Sequence, residues 1–197
     1  MNLAEARSFA HEIVDVLGPA CERLAIAGSI RRQKPDNIKD IEIVAISKPM
    51  RSVFGAKPQA GELQALVDQL RADGQIMART DGRGRTAWGQ KYRRALWGPR
   101  AIPLDLFIVT RETWGAQLTL RTGDADFSHK LVTPRSLGGV MPDALRLHEG
   151  LLWRSGQVVP APDEPDFFRA LGLVWIDPPQ RNLTTLRRLL EWGADHA

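Results

Sequence analysis

Two short segments decide the fold that we expect: Leu24–Arg32 reads LAIAGSIRR, and Lys39–Val44 reads KDIEIV. The first is an apolar run that ends in Gly-Ser, the pattern of a buried strand followed by a sharp turn. The second is a strand of β-branched residues that carries acids at alternate positions, Asp40 and Glu42. Because side chains alternate across a strand, both carboxylates lie on one face while the isoleucines enter the core. The two acids repel each other, so this strand predicts a bound cation.

The turn before the acidic strand has the composition of a phosphate-binding segment. Gly28 lets a ligand approach the backbone closely, and Ser29 suits the N-cap of a helix that carries Arg31 and Arg32. Free N–H groups at a helix start and a guanidinium both attract phosphate. A phosphate-binding turn close to a metal-binding strand predicts a site for a nucleoside triphosphate.

A third acid lies inside another apolar strand. Ile102–Val109 reads IPLDLFIV and contains Asp105 as its one charged residue. An ionised carboxylate in a buried strand costs several kcal/mol unless it is paired or bound to a metal. We therefore group Asp105 with Asp40 and Glu42 as candidate metal ligands. Oxygen-only donors indicate Mg²⁺, with Mn²⁺ as a plausible substitute.

Gly-Ser, a short helix and Asp-x-Glu on a strand together resemble the signature of the DNA polymerase beta nucleotidyltransferase superfamily. Two further segments resemble the family X DNA polymerases: Thr122-Gly123 at the end of a helical pattern, and Glu164–Asn182, with its Gly-Leu and acid-Pro-x-x-Arg turn. The resemblance implies an α+β fold. We expect a nucleotidyltransferase palm over residues 1–110, built as a mixed sheet with flanking helices. A small α/β nucleotide-binding subdomain with an extra terminal helix would follow over residues 111–197.

The resemblance also implies an activity. We expect a DNA-directed DNA polymerase that adds deoxynucleotides from dNTPs to a DNA primer 3′-end, on a primer-template or on gapped DNA in repair. Two Mg²⁺ ions would be held by the catalytic acids Asp40, Glu42 and Asp105, and Asp105 would accept the proton of the primer hydroxyl. The positions that match nucleotide contacts of the family are Gly28, Ser29, Arg32, Arg121, Thr122, Gly123 and Ser128.

Residues 82–104 contain no acid but many arginines, with Trp and Tyr between them. This composition favours a strip that follows a nucleic-acid backbone. A solvated pair of strands with Trp side chains packed beneath it is the alternative. The candidate nucleic-acid contacts are Arg83, Arg85, Lys91, Arg93, Arg94 and, further along the chain, His129.

Departures from the family pattern keep other functions open. Glu42 replaces the commoner second Asp, Pro103 stands where an Arg often precedes the third acid, and Leu120-Arg121 replaces the pair often found before Thr-Gly. These changes put primer contacts and sugar selection in doubt. The alternatives are a template-independent terminal transferase, nucleotidyl transfer to a non-DNA acceptor, and a catalytically inactive DNA-binding module.

Composition bounds the remaining expectations. The chain has 197 residues, a net charge of +4 and a single cysteine, Cys21, which excludes an internal disulfide framework. No apolar run approaches the roughly 18 residues of a membrane span. We expect a cytoplasmic monomer without a membrane partner. Because only 27 residues precede Gly28, we also expect a minimal form that lacks the lyase and helix-hairpin-helix domains of the repair polymerases.

Overall fold

The computed structural model describes residues 1–50 and 61–194, with side chains through residue 190. The Pro and Gly residues of 48–60 predict a loop, and the sequence of 183–197 predicts the terminal helix. Residues 51–60 and 195–197 of these segments lie outside the described ranges. The chain divides into two compact units: Met1–Ile30 with Lys34–Thr110, and Arg31–Gln33 with Arg111–Ala197.

The first unit is a five-stranded mixed sheet with helices. Its elements are helix α1 (Leu3–Leu17), strand β1 (Cys21–Ile26), the one-turn helix α2 (Gly28–Arg31, whose last residue belongs to the second unit), β2 (Ile41–Ser47), helix α3 (Glu62–Ala72), β3 (Ile76–Ala78), β4 (Tyr92–Trp97) and β5 (Ile102–Val109). The strand order is β1-β2-β5-β4-β3. Only β2 and β5 pair in parallel, and every other pair is antiparallel. The predicted α+β class, with a mixed sheet and flanking helices, is confirmed.

The apolar residues that recur at helical spacing in α1 and at alternate positions in β2 are buried in one core. In α1, the residues at helical spacing are buried, and the Asn2 side chain caps the helix by accepting the Glu5 N–H. In β2, Ile41 and Ile43 are fully buried in the same core. Alternation then sends the intervening Glu42 to the opposite face of the sheet. The core therefore lies on the helix side of the sheet, and the acids are on the other side.

The second unit combines helices with a three-stranded antiparallel sheet. It contains α4 (Trp114–Thr122), α5 (Ala125–Val132), β6 (Leu145–His148), β7 (Leu151–Arg154), β8 (Gln157–Val159), α6 (Glu164–Ala170) and α7 (Leu183–Ala194). Both hairpins turn on two residues with positive φ: 49° and 82° at Glu149-Gly150, and 50° and 78° at Ser155-Gly156. Two consecutive left-handed residues define the turn that matches the twist of paired strands, so these dipeptides set the register.

The terminal helix packs on the second unit. The Asn182 side chain caps the helix by accepting the N–H of Thr185, and Leu186 is fully buried. Within residues 1–50 and 61–194, no helix has the length and apolar character needed to cross a bilayer.

Leu131→Ala and Leu137→Ala make the same chemical change at a buried and at an exposed position, respectively. Leu131 is fully buried in the second core, whereas Leu137 is 75% exposed. Leu131→Ala should lower the free energy of unfolding in urea by about 2–5 kcal/mol through the cavity it leaves. Leu137→Ala should change it by less than about 0.5 kcal/mol. Equal losses in the two variants would contradict the assignment of the second core.

Candidate active site

The parallel pairing of β2 with β5 places two of the predicted acids side by side. Glu42 lies opposite Asp105 in that register. On the far side of Asp105, the antiparallel partner strand β4 places Arg94 opposite the same residue. Asp40 immediately precedes β2, at the same parity as Glu42. The sheet therefore carries a cross-strand row, Glu42–Asp105–Arg94, which we call the acid row.

Three neighbours hold the Asp105 carboxylate. Arg79 Nη2 donates to Oδ1 at 3.2 Å, and Arg94 Nε donates to the same oxygen at 3.4 Å. The Tyr92 hydroxyl donates to Oδ2 at 3.2 Å. The exposed fractions of these charged side chains are 16% for Arg79, 28% for Arg94 and 14% for Asp105. Because this pairing is mostly out of water, the two guanidiniums effectively neutralise Asp105.

Tyr92 is held in place by Phe107, its cross-strand neighbour on β5. Its ring stacks on Phe107 with 4.8 Å between the ring centroids and an interplanar angle of 9°. Burial, together with the adjacent charge of Asp105, raises the pKa of Tyr92 to about 12. The phenol therefore stays protonated near neutral pH and acts as a hydrogen-bond donor to Asp105.

Asp40 lies within the electrostatic field of the acid row. Burial first, and then the negative charge of Asp105, raise the pKa of Asp40 above its ordinary value. The positive charges of Arg79, Arg94 and Lys39 oppose that rise. Among the described residues, we find no hydrogen bond to the Asp40 side chain. Asp40 is thus a carboxylate whose charge is only partly compensated.

The donor chemistry of this site fits a hard divalent cation, because all three acids offer carboxylate oxygens. The side chains are not gathered around one point, however. Within the part of the chain that the structure describes, no group of three or more His, Cys, Asp or Glu side chains is placed to hold a metal ion. Asp105 faces two arginines instead, and the Glu42 carboxylate lies against the backbone of Gly28.

The Gly28 turn packs against the acidic strand. Gly28 has φ of +59°, and a Cβ atom at this position would overlap the Glu42 carboxylate. The neighbouring Ala27 N–H donates to the Glu42 carbonyl at 2.8 Å. Helix α2 begins at Gly28 and has four residues, so Ser29 lies inside the turn. The prediction that Ser29 is the N-cap was wrong, because the helix already begins at Gly28, one residue earlier.

The basic segment separates into buried and exposed residues. Arg93 is 2% exposed, and its guanidinium donates to Asp68 and to the carbonyls of Gln64 and Gly89. It also lies 5.1 Å from the centroid of the Trp88 ring. Every guanidinium nitrogen of Arg93 therefore donates a hydrogen bond within the first unit, so this buried residue is not available for the predicted nucleic-acid contact.

Other members of the predicted strip remain at the surface. Arg83, Arg85 and Lys91 are exposed. Arg85 pairs with Asp81, whose carboxylate also accepts the backbone N–H groups of Arg83 and Arg85 and so closes the turn. Hydrogen bonds from these groups hold the pKa of Asp81 below its ordinary value. The loop before β4 is thus a folded turn that presents basic side chains.

The second unit places the predicted nucleotide-binding residues around the end of α4. Thr122 is buried, and its carbonyl accepts from Arg32 Nη1 at 2.6 Å. Gly123 ends the helix against Phe127 and Ser128, and the Ser128 hydroxyl donates to the Leu120 carbonyl at 2.8 Å. Arg121 and His129 are exposed. Arg32 and Ser128 therefore already have backbone partners within this unit.

A cluster of hydrogen-bonded charged side chains stabilises the second unit. Glu164 is 5% exposed and accepts from Arg31 at 2.8 and 2.6 Å, and from the fully buried Arg181. Arg31 also donates to the Thr122 hydroxyl at 2.8 Å. Burial by itself would raise the pKa of Glu164, but the hydrogen bonds from both arginines outweigh it and leave that pKa lowered. The acid-Pro-x-x-Arg turn is therefore held through Arg181 and Glu164.

Several contributors to these clusters were not among the predicted site residues: Arg31, Arg79, Tyr92, Glu164 and Arg181. The Lys-Tyr-Arg-Arg run at 91–94 was a usable signal for Tyr92, because alternation places it on the same face as Arg94. Arg79 carries no comparable signal. Its position follows from the hydrogen bond of its N–H to the Arg94 carbonyl across the sheet.

Comparison with known proteins gives a distant similarity to a DNA polymerase. No protein-family model matches the chain. The chain is 26% identical over 166 residues to DNA polymerase lambda from Rattus norvegicus, an alignment that covers 79% of this chain and 28% of that protein. The chain therefore spans less than a third of the relative that it matches.

Gly28→Ala tests the packing of the turn on the acidic strand. The added methyl group would require both an unfavourable positive φ and displacement of the Glu42 carboxylate. We expect a loss of about 1–3 kcal/mol in the free energy of unfolding. Gly82→Ala, where a Cβ meets no atom within 4 Å, is the matched control and should be nearly neutral. Indistinguishable denaturation curves for the two variants would refute the close approach.

Glu164→Gln keeps the shape of the buried side chain and removes its charge. Leaving Arg31 and Arg181 without their anion should lower the free energy of unfolding at pH 7 by about 3–5 kcal/mol. Arg169→Gln, which breaks the exposed pair with Asp166, should cost less than about 1 kcal/mol.

The Glu164 variant also has an expected pH dependence. The folded-state pKa of Glu164 is below its ordinary value of 4.5. Its stabilisation is therefore complete above that value and is lost as the pH falls through the folded-state pKa. The unfolding free energies of the parent and of Glu164→Gln should converge in acid, and a gap that stays constant would contradict the ionised assignment.

Proposed function

We propose that the chain is a nucleotidyltransferase that adds deoxynucleotides from dNTPs to the 3′-end of a DNA primer, with gapped DNA as one substrate. The distant similarity to a DNA polymerase supports the class of reaction. The observation that carries the proposal is the register of Glu42 opposite Asp105, with Asp40 close enough for Asp105 to raise its pKa. Three carboxylates on one face of a sheet are costly unless cations compensate them.

In this proposal Asp40, Glu42 and Asp105 hold divalent ions, Mg²⁺ or Mn²⁺, by oxygen ligands alone. When bound, such ions activate the attacking hydroxyl and stabilise the leaving phosphate oxygen. The chain's own residues orient this chemistry. Tyr92 fixes the Asp105 carboxylate through Oδ2, and the stacked Phe107 ring keeps Tyr92 in position. Asp105, the acid nearest these supports, would accept the proton of the primer hydroxyl.

Substrate contacts are proposed for each unit separately. In the first unit, Gly28 and Ser29 would approach the triphosphate, and the exposed Arg83, Arg85 and Lys91 would contact the DNA backbone without reading its sequence. In the second unit, the proposed nucleotide contacts are Arg32, Arg121, Thr122, Gly123 and Ser128, with His129 at the nucleic acid.

A second candidate, a nucleic-acid-binding module without catalysis, is favoured by one observation. Asp105 is already neutralised by Arg79 and Arg94, so the acid row has charge compensation without a metal. If those pairs are permanent, the chain would bind DNA and turn over no nucleotide. Metal binding by the isolated protein separates this candidate from the enzyme.

The direct test is extension of a labelled primer on gapped duplex DNA with dNTPs and Mg²⁺ or Mn²⁺. Asp105→Asn should reduce the incorporation rate by at least about a hundredfold, because it removes a ligand charge while keeping the side-chain shape. Asp36→Asn changes the same residue type at an exposed position and should leave the rate unchanged. Absence of any metal-dependent extension by the parent protein, across gapped, recessed and single-stranded primers, would refute the polymerase proposal.

A further inference from the structure

The charges around the acid row come close to cancelling. Asp40, Glu42 and Asp105 contribute three negative charges, while Arg79 and Arg94 contribute two positive ones. A divalent cation approaching this set is attracted by little net charge. A phosphate approaching it meets two guanidiniums that are already paired. Neither ligand alone gains the full Coulomb attraction of its opposite charges.

Arg79 and Arg94 nevertheless have unused binding capacity. Each places one nitrogen on Asp105, and we find no partner for the other guanidinium nitrogens among the described residues. Arg93, the neighbour of Arg94 in sequence, is the opposite case, because all of its nitrogens are bonded. A guanidinium with free parallel donors matches two oxygens of a phosphate.

The ion pairs that Arg79 and Arg94 form with Asp105 are also weaker than the Arg31–Glu164 pair. Their distances of 3.2 and 3.4 Å exceed the 2.6 and 2.8 Å of the Arg31–Glu164 pair. Charge-assisted hydrogen bonds shorten when they are strong. Tyr92 holds Oδ2 independently, so the carboxylate keeps one support when Oδ1 changes partners.

We propose that Arg79 and Arg94 are phosphate-binding residues. Asp105 binds both guanidiniums until a divalent cation takes their place on its carboxylate. Metal and phosphate therefore bind the acid row cooperatively. The proposal rests on the proposed function in taking Asp40, Glu42 and Asp105 as metal ligands. It specifies the ligand as a phosphoryl group that arrives with a divalent cation.

The first measurement is the affinity of the full chain for Mn²⁺ alone, by electron paramagnetic resonance of the free ion. Arg79→Met and Arg94→Met should each bind Mn²⁺ about tenfold more tightly than the parent, because a competing positive charge is removed. Arg94→Lys keeps that charge and should stay near the parent value. Arg7→Met loses the same charge at an exposed position of α1 and should bind Mn²⁺ as the parent does.

The second measurement is calorimetric binding of inorganic tripolyphosphate, once in saturating Mg²⁺ and once in EDTA. The parent should bind it at least about tenfold more tightly with Mg²⁺ than without, because bound cations release the arginines. In saturating Mg²⁺, Arg79→Met and Arg94→Met should bind tripolyphosphate about tenfold more weakly, while Arg7→Met should match the parent. General damage to the fold would weaken the binding of both ligands, so tighter metal binding together with weaker phosphate binding would exclude it.

Two results would overturn the inference: Mn²⁺ affinity that is unchanged or weaker in both methionine variants, or tripolyphosphate binding that is indifferent to Mg²⁺. The primer-extension assay is independent of both. A chain that extends no primer yet shows the opposed shifts would retain the inference and lose the polymerase proposal. A chain that extends primers but shows no shift would do the reverse.

Discussion

The parallel pairing of β2 with β5 is the constraint on which the first unit depends. It is the one parallel pair in this sheet, so the chain must leave β2 and return through other elements before β5 can form. The same register that buries Ile43 beside Leu106 also forces Glu42 beside Asp105 on the opposite face. Core packing and charge repulsion are therefore coupled, and the sheet tolerates the repulsion because β4 brings compensating groups to Asp105.

Much of the fold could be predicted because its signals are local. Alternation identified β2 and β5 and the face that each acid occupies. Side-chain caps at Asn2 and Asn182, and the two-residue turns of the small sheet, lie within a few residues of the backbone groups that they organise. The acids of the candidate site were found in the same way, since a charged residue in an apolar strand stands out by itself.

The roles of adjacent arginines could not be predicted from composition. Arg93 and Arg94 look identical in a basic segment, yet alternation sends Arg93 under Trp88 toward α3 and Arg94 onto the acid row. A shift of one residue in the β4–β5 register would exchange their roles. Glu164 was hidden for a related reason, because its partner Arg31 is 133 residues away in sequence. Such partners follow from tertiary pairing, which no short window of sequence encodes.

Tyr92 is the only tyrosine in the chain, and its hydroxyl contacts the carboxylate on which the candidate chemistry depends. A fluorine atom introduced biosynthetically on tyrosine rings would therefore give one resonance in the entire protein, and that resonance would originate beside Asp105. The chain in this sense contains its own spectroscopic reporter. Changes in the electrostatic environment of the acid row become observable in solution without a cysteine label or an added chromophore.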